Sequence, residues 1–278
     1  MGDNKKSILI TGCSSGIGYD CAHGLKARGY RVFATCRREE DAARLRGEGL
    51  ESWILDYDDA ASIETALDET LERTGGTLDA LFNNGAFGIP GLAQDLPTDA
   101  LRSIFETNFF GYHDLTRRVI PIMQNQGHGR ILMNSSILGF IALKWRVAYN
   151  STKYALEGYS DTLRLELAAA GIDVVLIEPG PITSDIRTKS VPHYEKWIDA
   201  ENSNQAKHYK EVLEPRLYAK PKVQTFELPA SAVTEVVHKA LTARRPKARY
   251  RVTLPTKVMA VVKRLLPTRI MDALLQRL

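Results

Sequence analysis

The chain has little cysteine, no long apolar run and no repeated or low-complexity segment, and each shortage removes a class of protein. Its three cysteines, Cys13, Cys21 and Cys36, form no C-x-x-C pair and no spacing suited to a metal. A disulfide framework or a zinc module is therefore not expected, and a reducing, cytoplasmic setting is. No stretch reaches the roughly 18 uninterrupted apolar residues that a spanning helix needs. The first apolar run, Ile8 to Ile10, is too short for the hydrophobic part of a signal peptide. Basic charge is also scarce except in one place. The net charge is +4, yet Arg244 to Leu278 holds ten Lys or Arg against one acid, Asp272, leaving 27 basic and 32 acidic residues elsewhere. A nucleic-acid surface needs a basic face with stacking or base-reading groups, so nucleic acid is not an expected partner.

What is present is ordinary for a globular chain: 278 residues, 44% hydrophobic and 25% charged. Short apolar runs alternate with segments of helical period. Ser7 to Thr11, Arg31 to Thr35, Trp53 to Asp56, Leu78 to Phe82, Arg130 to Ser136, Ile172 to Ile177 and Arg249 to Thr253 read as strands. Between them, helical spacing runs through Arg28, from Ala61 to Thr74, from Asp99 to Gln126 as one long helix, onward from Tyr149 to about Ala170, and from Ala230 to Ala243. Such alternation predicts a doubly wound parallel α/β sheet of the Rossmann type, helices on both faces, in a single domain. Residues 181–229 break the rhythm. They are polar, carry five aromatics (Tyr194, Trp197, Tyr209, Tyr218, Phe226) and follow a strand's carboxyl end, which predicts a lid with helical fragments. The basic tail, about 254–278, mixes Val258, Val261, Leu265, Ile270 and Leu274 with its cations and is broken at Pro267, so two short helices are expected. The plainer reading packs its apolar face over the pocket or a partner subunit. The alternative, less favoured, is peripheral attachment to an anionic membrane surface.

Three patterns carry chemistry. Gly12-Cys-Ser-Ser-Gly16-Ile-Gly18 lies between a strand and a helix, where glycines allow tight turns and helix amides attract phosphate. At the end of the second strand stand Cys36, Arg37 and Arg38 with no acid at 35 or 36. An acid there would suit the ribose hydroxyls of NAD(H); Arg37 suits a 2′-phosphate, which favours NADP(H). Third, Tyr149 and Lys153 are one helical turn apart, and Ser136 ends the strand before them. A Ser can hold a substrate oxygen, and a Tyr can exchange a proton with it when a neighbouring cation favours the phenolate. Asn108, among Phe105, Phe109 and Phe110, needs hydrogen-bond partners and is either a structural bracket or part of a proton path.

Taken together, and in this order, these residues resemble the short-chain dehydrogenase/reductase family over Lys6 to about Thr253, in its single-domain branch with a Ser, Tyr, Lys and Asn tetrad. Ala34-Thr-Cys-Arg37 and the long lid look similar to the hydroxysteroid and retinol dehydrogenase branch with its bacterial carbonyl reductase relatives. The resemblance implies that Tyr149 is the acid/base, that Lys153 lowers its pKa and binds the nicotinamide ribose, that Ser136 orients the carbonyl, and that Asn108 holds a water in a proton relay. It assigns Gly12, Gly16, Ile17 and Gly18, with Ser14 or Ser15, to the pyrophosphate, Asp56 to the adenine, and the Asn83-Asn84 turn to the cofactor through Asn83. Pro179, Gly180, the backbone of Ile182, and Ser184 in place of the family's Thr are implied at the nicotinamide. Two departures stand out. The turn reads Asn83-Asn84-Gly85-Ala86 where the family has Ala before Gly, so Ala86 would be strained if its position needs a positive φ. Ser184 keeps a hydroxyl in the Thr place. The implied activity is NADP(H)-dependent interconversion of an apolar aldehyde or ketone and its alcohol, with Phe87, Leu138, Leu143 and Trp145 as pocket candidates and no metal. Alternatives are an oxidising hydroxysteroid or retinol dehydrogenase, or a non-catalytic NADPH sensor. A homodimer or homotetramer is expected by the same resemblance.

Overall fold

The computed structural model of the protein describes residues 5–219 and 225–277, so a small part of the expected lid and the final Leu278 lie outside it. Chain order is β1 (Ser7–Ile10), α1 (Gly16–Ala27), β2 (Arg31–Cys36), α2 (Glu39–Gly47), β3 (Glu51–Ile54), α3 (Ala60–Thr74), β4 (Ala80–Asn83), α4 (Thr98–Phe105), α5 (Gly111–Gln126), β5 (Gly129–Asn134), α6 (Val147–Leu167) and β6 (Ile172–Glu178). There follow α7 (Ile186–Trp197), α8 (Ala206–His208), α9 (Glu214–Tyr218), α10 (Ser231–Thr242), β7 (Arg249–Arg251), α11 (Leu254–Leu265) and α12 (Thr268–Leu275). The seven strands form one parallel sheet in the order β3-β2-β1-β4-β5-β6-β7.

The inner strands read as largely apolar runs because both of their faces are covered. Ile8 and Ile10 of β1, with Phe82, Leu132, Val175 and Ile177, pack against Ala22 and Leu25 of α1, Leu45 of α2 and Val237 of α10. Leu9, Leu81, Ile131, Met133, Val174 and Leu176 point the other way onto α3, α5 and α6 through Leu67, Leu115, Val119, Leu156 and Leu163. The order reverses between β1 and β4, and the crevice at the carboxyl ends of these two strands is where open α/β sheets take ligands.

Four sequence expectations change. The helix expected from Asp99 to Gln126 is two, α4 and α5, joined by a π-turn at Glu106–Phe110 that contains Asn108. One extra residue in a turn leaves the apolar spacing almost intact, so periodicity does not reveal it. The strand expected to end at Asp56 stops at Ile54, and β7 stops at Arg251 rather than Thr253. Ala86 does not have a positive φ, so the exchanged Gly85-Ala86 order imposes no backbone strain.

The lid has a core of its own. Tyr194, Ile198, Tyr209, Leu213 and Leu217 close over Ile89, Ala100, Ile104 and Ala148, so Tyr194 and Tyr209 are packing residues, while Tyr218 and Phe226 are exposed.

Where β6 ends, Glu178 is buried and faces Arg249 (3.1 Å) and Arg251 (3.0 Å). Burial, reinforced by the charge of Glu157, pushes its carboxyl up to about 7 against the pull of both arginines. A folded value above the unfolded one means that bound proton stabilises the fold. That contribution is full below about 4.5 and is lost as pH rises to about 7. Melting temperatures of Glu178→Gln and its parent, compared at pH 5 and pH 8, should therefore show a smaller drop in the variant; equal drops would remove Glu178 as the source.

Candidate active site

The chemistry-bearing residues gather at the carboxyl edge of the sheet. After β1, the chain turns through Gly12 at φ +68 and Gly16 at φ +58, a region closed to most side chains. A Cβ on Gly12 would stand 2.5 Å from the Cα of Gly85, and one on Gly18 would stand 2.4 Å from the Gly12 carbonyl oxygen. The loop is thus drawn onto the β4 turn, and α1 begins directly behind it. Its Ser15 cap makes no side-chain bond to the first-turn amides, and that turn holds no acid, so the helix end faces the loop with unspent positive potential. Two cations stand at the same place. Lys189 of α7 donates to the hydroxyls of Ser15 (2.5 Å) and Ser14 (3.5 Å), and Arg44 donates to the Ser14 carbonyl (2.7 Å). Ile17 packs partly into the core beneath, and Ser184 lies beside Gly16. Glycines whose missing Cβ atoms leave the backbone open, an uncapped helix end and two cations fit a diphosphate.

The two Asn residues at the end of β4 point to different sides. Asn83 is fully buried; its amide donates to Thr116 Oγ1 (3.0 Å) and its oxygen accepts from Tyr57 (2.7 Å), so its side chain is a core bracket. Strand alternation turned it inward. Asn84 is the one at the crevice. Its Nδ2 donates to the Thr11 (2.9 Å) and Gly12 (3.3 Å) carbonyls, and its Oδ1 accepts from Asn134 (2.8 Å). Asp56 sits past β3, with Oδ1 accepting from the Asp58 amide (3.2 Å). Arg37, at the end of β2, is exposed and makes no hydrogen bond or ion pair among the described residues, whereas Arg38 is paired with Glu40 and Asp41.

Ser136, Tyr149 and Lys153 converge. Ser136 follows β5 in extended backbone and accepts the Leu138 amide (3.1 Å), and its hydroxyl is near enough to Tyr149 to favour the phenolate. Neighbouring Ser135 faces inward to Glu157 (2.5 Å), so the pair divides between core and cleft. Lys153 is buried; its Nζ donates to the Asn134 carbonyl (2.7 Å) and stands 5.5 Å from the Tyr149 ring centre.

The electrostatics depart from expectation. Burial pushes Tyr149 up to about 12, opposed by the Ser136 hydroxyl and the charge of Arg146. Burial also pushes Lys153 down to about 7, opposed by Glu157. Besides Lys153, a second cation favours the Tyr149 phenolate: Arg146, one turn earlier on the same helix face. Nothing in the Y-x-x-x-K spacing singles out that Arg, although the i−3 position is where to look.

The Asn108 side chain is bonded within the fold. Its side chain accepts the Phe87 amide (3.1 Å) and donates to the Phe87 carbonyl (2.9 Å) and Thr152 Oγ1 (3.3 Å), clamping the chain after β4 to α6. Pro179 accepts the Ile137 amide (2.7 Å), and a Cβ on Gly180 would lie 2.1 Å from Thr253 Oγ1, so that glycine admits the start of α11. Ile182 forms a bridge to Leu228, which pins the lid's two ends together. Of the pocket candidates, Phe87 is stacked at 4.0 Å on His193 of α7, and Leu138 and Leu143 are half-buried near Asn150. Trp145 is buried between His208 and Tyr209 and belongs to the lid core.

Residues 6–195 match the family model described as short chain dehydrogenase. The chain belongs to the short chain dehydrogenase family. As a short-chain dehydrogenase it is an NAD(P)-dependent oxidoreductase acting on CH–OH groups. It is 42% identical over 272 residues to an uncharacterized oxidoreductase of Escherichia coli, YbbO, covering 98% of this chain and 94% of that one. It is 30% identical to the NADPH-dependent 3-dehydrocapnine reductase of Ornithobacterium rhinotracheale, covering 95% and 94%. Among solved structures, a short-chain dehydrogenase from Streptomyces avermitilis superposes with a TM-score of 0.77 at 26% identity, covering 95% of this chain and 96% of that one.

The loop geometry gives a direct test. In Gly18→Ala the new Cβ would meet the Gly12 carbonyl and, at 2.6 Å, the Asn84 amide. Dinucleotide affinity measured by calorimetry should fall at least tenfold while circular dichroism stays native; parental affinity would show that the cradle tolerates the methyl group.

Proposed function

We propose that this short-chain dehydrogenase is an NADPH-dependent reductase of apolar aldehydes or ketones. The observation that carries the choice of cofactor is Arg37: an exposed guanidinium free of hydrogen bonds and ion pairs among the described residues, at the strand end where a ribose-binding acid would otherwise stand. Its fork suits a phosphate, and although its charge is felt by the Asp58 carboxyl, the two form no ion pair. The NADPH dependence printed in the name of the Ornithobacterium relative agrees with this.

Bound NADPH would supply a hydride to the carbonyl carbon. The protein's own residues would do the rest. Ser136, beside Tyr149, would donate to the carbonyl oxygen, and Tyr149 would give that oxygen its proton. A phenol held up at about 12 is in its acid form throughout the physiological range, which supports the reducing direction. Lys153, fixed by the Asn134 carbonyl, would carry its charge toward the ribose and the tyrosine once a polar ligand offsets its desolvation. Phe87 stacked on His193, with Leu138 and Leu143 opposite, would offer an apolar resting place for the substrate body.

Three measurements test this reading. Replacing Tyr149 with Phe should lower turnover of aliphatic aldehydes and aryl ketones by about 10²–10⁴ and leave NADPH affinity within twofold; an active variant would remove Tyr149 as the acid. Arg37→Asp should shift the NADPH-to-NADH ratio of kcat/KM toward NADH by at least tenfold, and an unchanged ratio would sink the assignment. Alcohol oxidation, which needs the phenolate, should climb with pH from 7 to 10 while carbonyl reduction does not; parallel profiles would place the proton elsewhere.

A further inference from the structure

The C-terminal helices present an apolar surface that none of the described residues covers. On α11, Leu254, Val258, Val261 and Leu265 are 54%, 48%, 57% and 74% exposed. At 3.6 residues per turn these four positions fall within an arc of about 60°. Thr256 and Ala260, on the opposite side, are buried. After Pro267, α12 adds Ile270 and Leu274, 54% and 38% exposed, above a buried Met271. The exposed stripe is therefore not the packing face of either helix; each already packs by its other side.

The borders of the stripe say what can lie on it. Lys257, Arg264, Arg269 and Arg277 are all exposed, and Asp272 is the lone acid from Arg244 onward. Two such faces brought together from two copies of the chain would set like charges against like around their rim. An anionic lipid surface instead takes the apolar stripe into its acyl boundary and the cations among its headgroups. No described helix is long and apolar enough to cross a membrane, so the contact is one of lying on the surface.

We propose that α11 and α12 dock this protein onto an anionic phospholipid surface, with Leu254, Val258, Val261, Leu265, Ile270 and Leu274 inserted and the flanking Lys and Arg residues on the headgroups. The docking helix is tied to the candidate active site. Lys263 donates to the Phe140 carbonyl and to Tyr154 Oη (3.2 Å), four residues after Ser136 and one after Lys153. The start of α11 fills the space left by Gly180. Docking would thus hold the segment after Ser136 close to the layer in which apolar carbonyl compounds dissolve. The surface contact itself does not rest on the assigned reaction.

The test is co-sedimentation of the full-length protein with vesicles of phosphatidylcholine alone and of phosphatidylcholine with phosphatidylglycerol, alongside light scattering of the protein without lipid. Binding should appear with the anionic vesicles, weaken with salt, and fall at least tenfold in Val261→Glu/Leu265→Glu. Lys257→Ala/Arg264→Ala should weaken it by roughly fivefold per cation removed. Both variants should keep parental turnover of a water-soluble aldehyde. Absence of binding to anionic vesicles overturns the proposal, as does equal binding by the parent and the Glu variant. Dissociation of a parental dimer by the Glu variant, with no vesicle binding in either, would assign the stripe to a second copy. Because turnover is read separately, an inactive protein that binds vesicles, or an active one that does not, tells the surface and the reaction apart.

Discussion

Two glycine backbones pressed together at the ends of β1 and β4 are the constraint on which the rest of the site depends. Gly12 and Gly85 approach so closely that no Cβ fits on the first. The Thr11 hydroxyl beneath them accepts the amides of Asn84 (2.9 Å) and Gly85 (3.2 Å), which closes the crevice at the point where the sheet changes direction. From there a single polar chain runs across the sheet. The Gly12 carbonyl holds the Asn84 amide, Asn84 Oδ1 holds Asn134 Nδ2, and the Asn134 carbonyl holds Lys153 Nζ. The phosphate loop and the Lys one turn beyond Tyr149 are thereby parts of one network, spanning β1, β4, β5 and α6. Such a network is worth more than its separate bonds because each member is buried or half-buried and would be costly to leave unpaired.

That burial also sets the charge states. Tyr149 and Lys153 are both withdrawn from water, and desolvation moves an acid up and a base down, so it drives the two apart, to about 12 and about 7. The same low dielectric that keeps the phenol protonated makes the Arg146 guanidinium more effective than it would be in solvent.

Much of this was legible in the chain. The strand runs, the glycine spacing, the Ser, Tyr and Lys set and the break at Pro267 are local patterns whose physics acts over a few residues. What was not legible depends on which way a side chain turns or on contacts far apart in sequence. Asn83 and Asn84 are adjacent and identical, and only the pleat of β4 decides that the first enters the core. Lys189 reaches Ser15 across 174 positions from a segment without periodicity. Trp145 looks like a pocket aromatic until α8 and its neighbour fold over it. Asn108 needed partners, and the structure supplied them from Phe87 and Thr152 rather than from the cleft.

Trp145 also holds a left-handed backbone, at φ +68, a conformation that costs a bulky residue roughly 1–2 kcal/mol. It is kept there by the His208 and Tyr209 rings at 5.0 and 4.9 Å, and it hands the chain directly to Arg146, the cap of α6. If the lid lifts, the rings leave and that residue is free to relax, taking with it the cap from which Arg146 addresses Tyr149. Opening the enclosure and disarming the proton donor are then a single mechanical event, a clasp and a trigger made from the same residue.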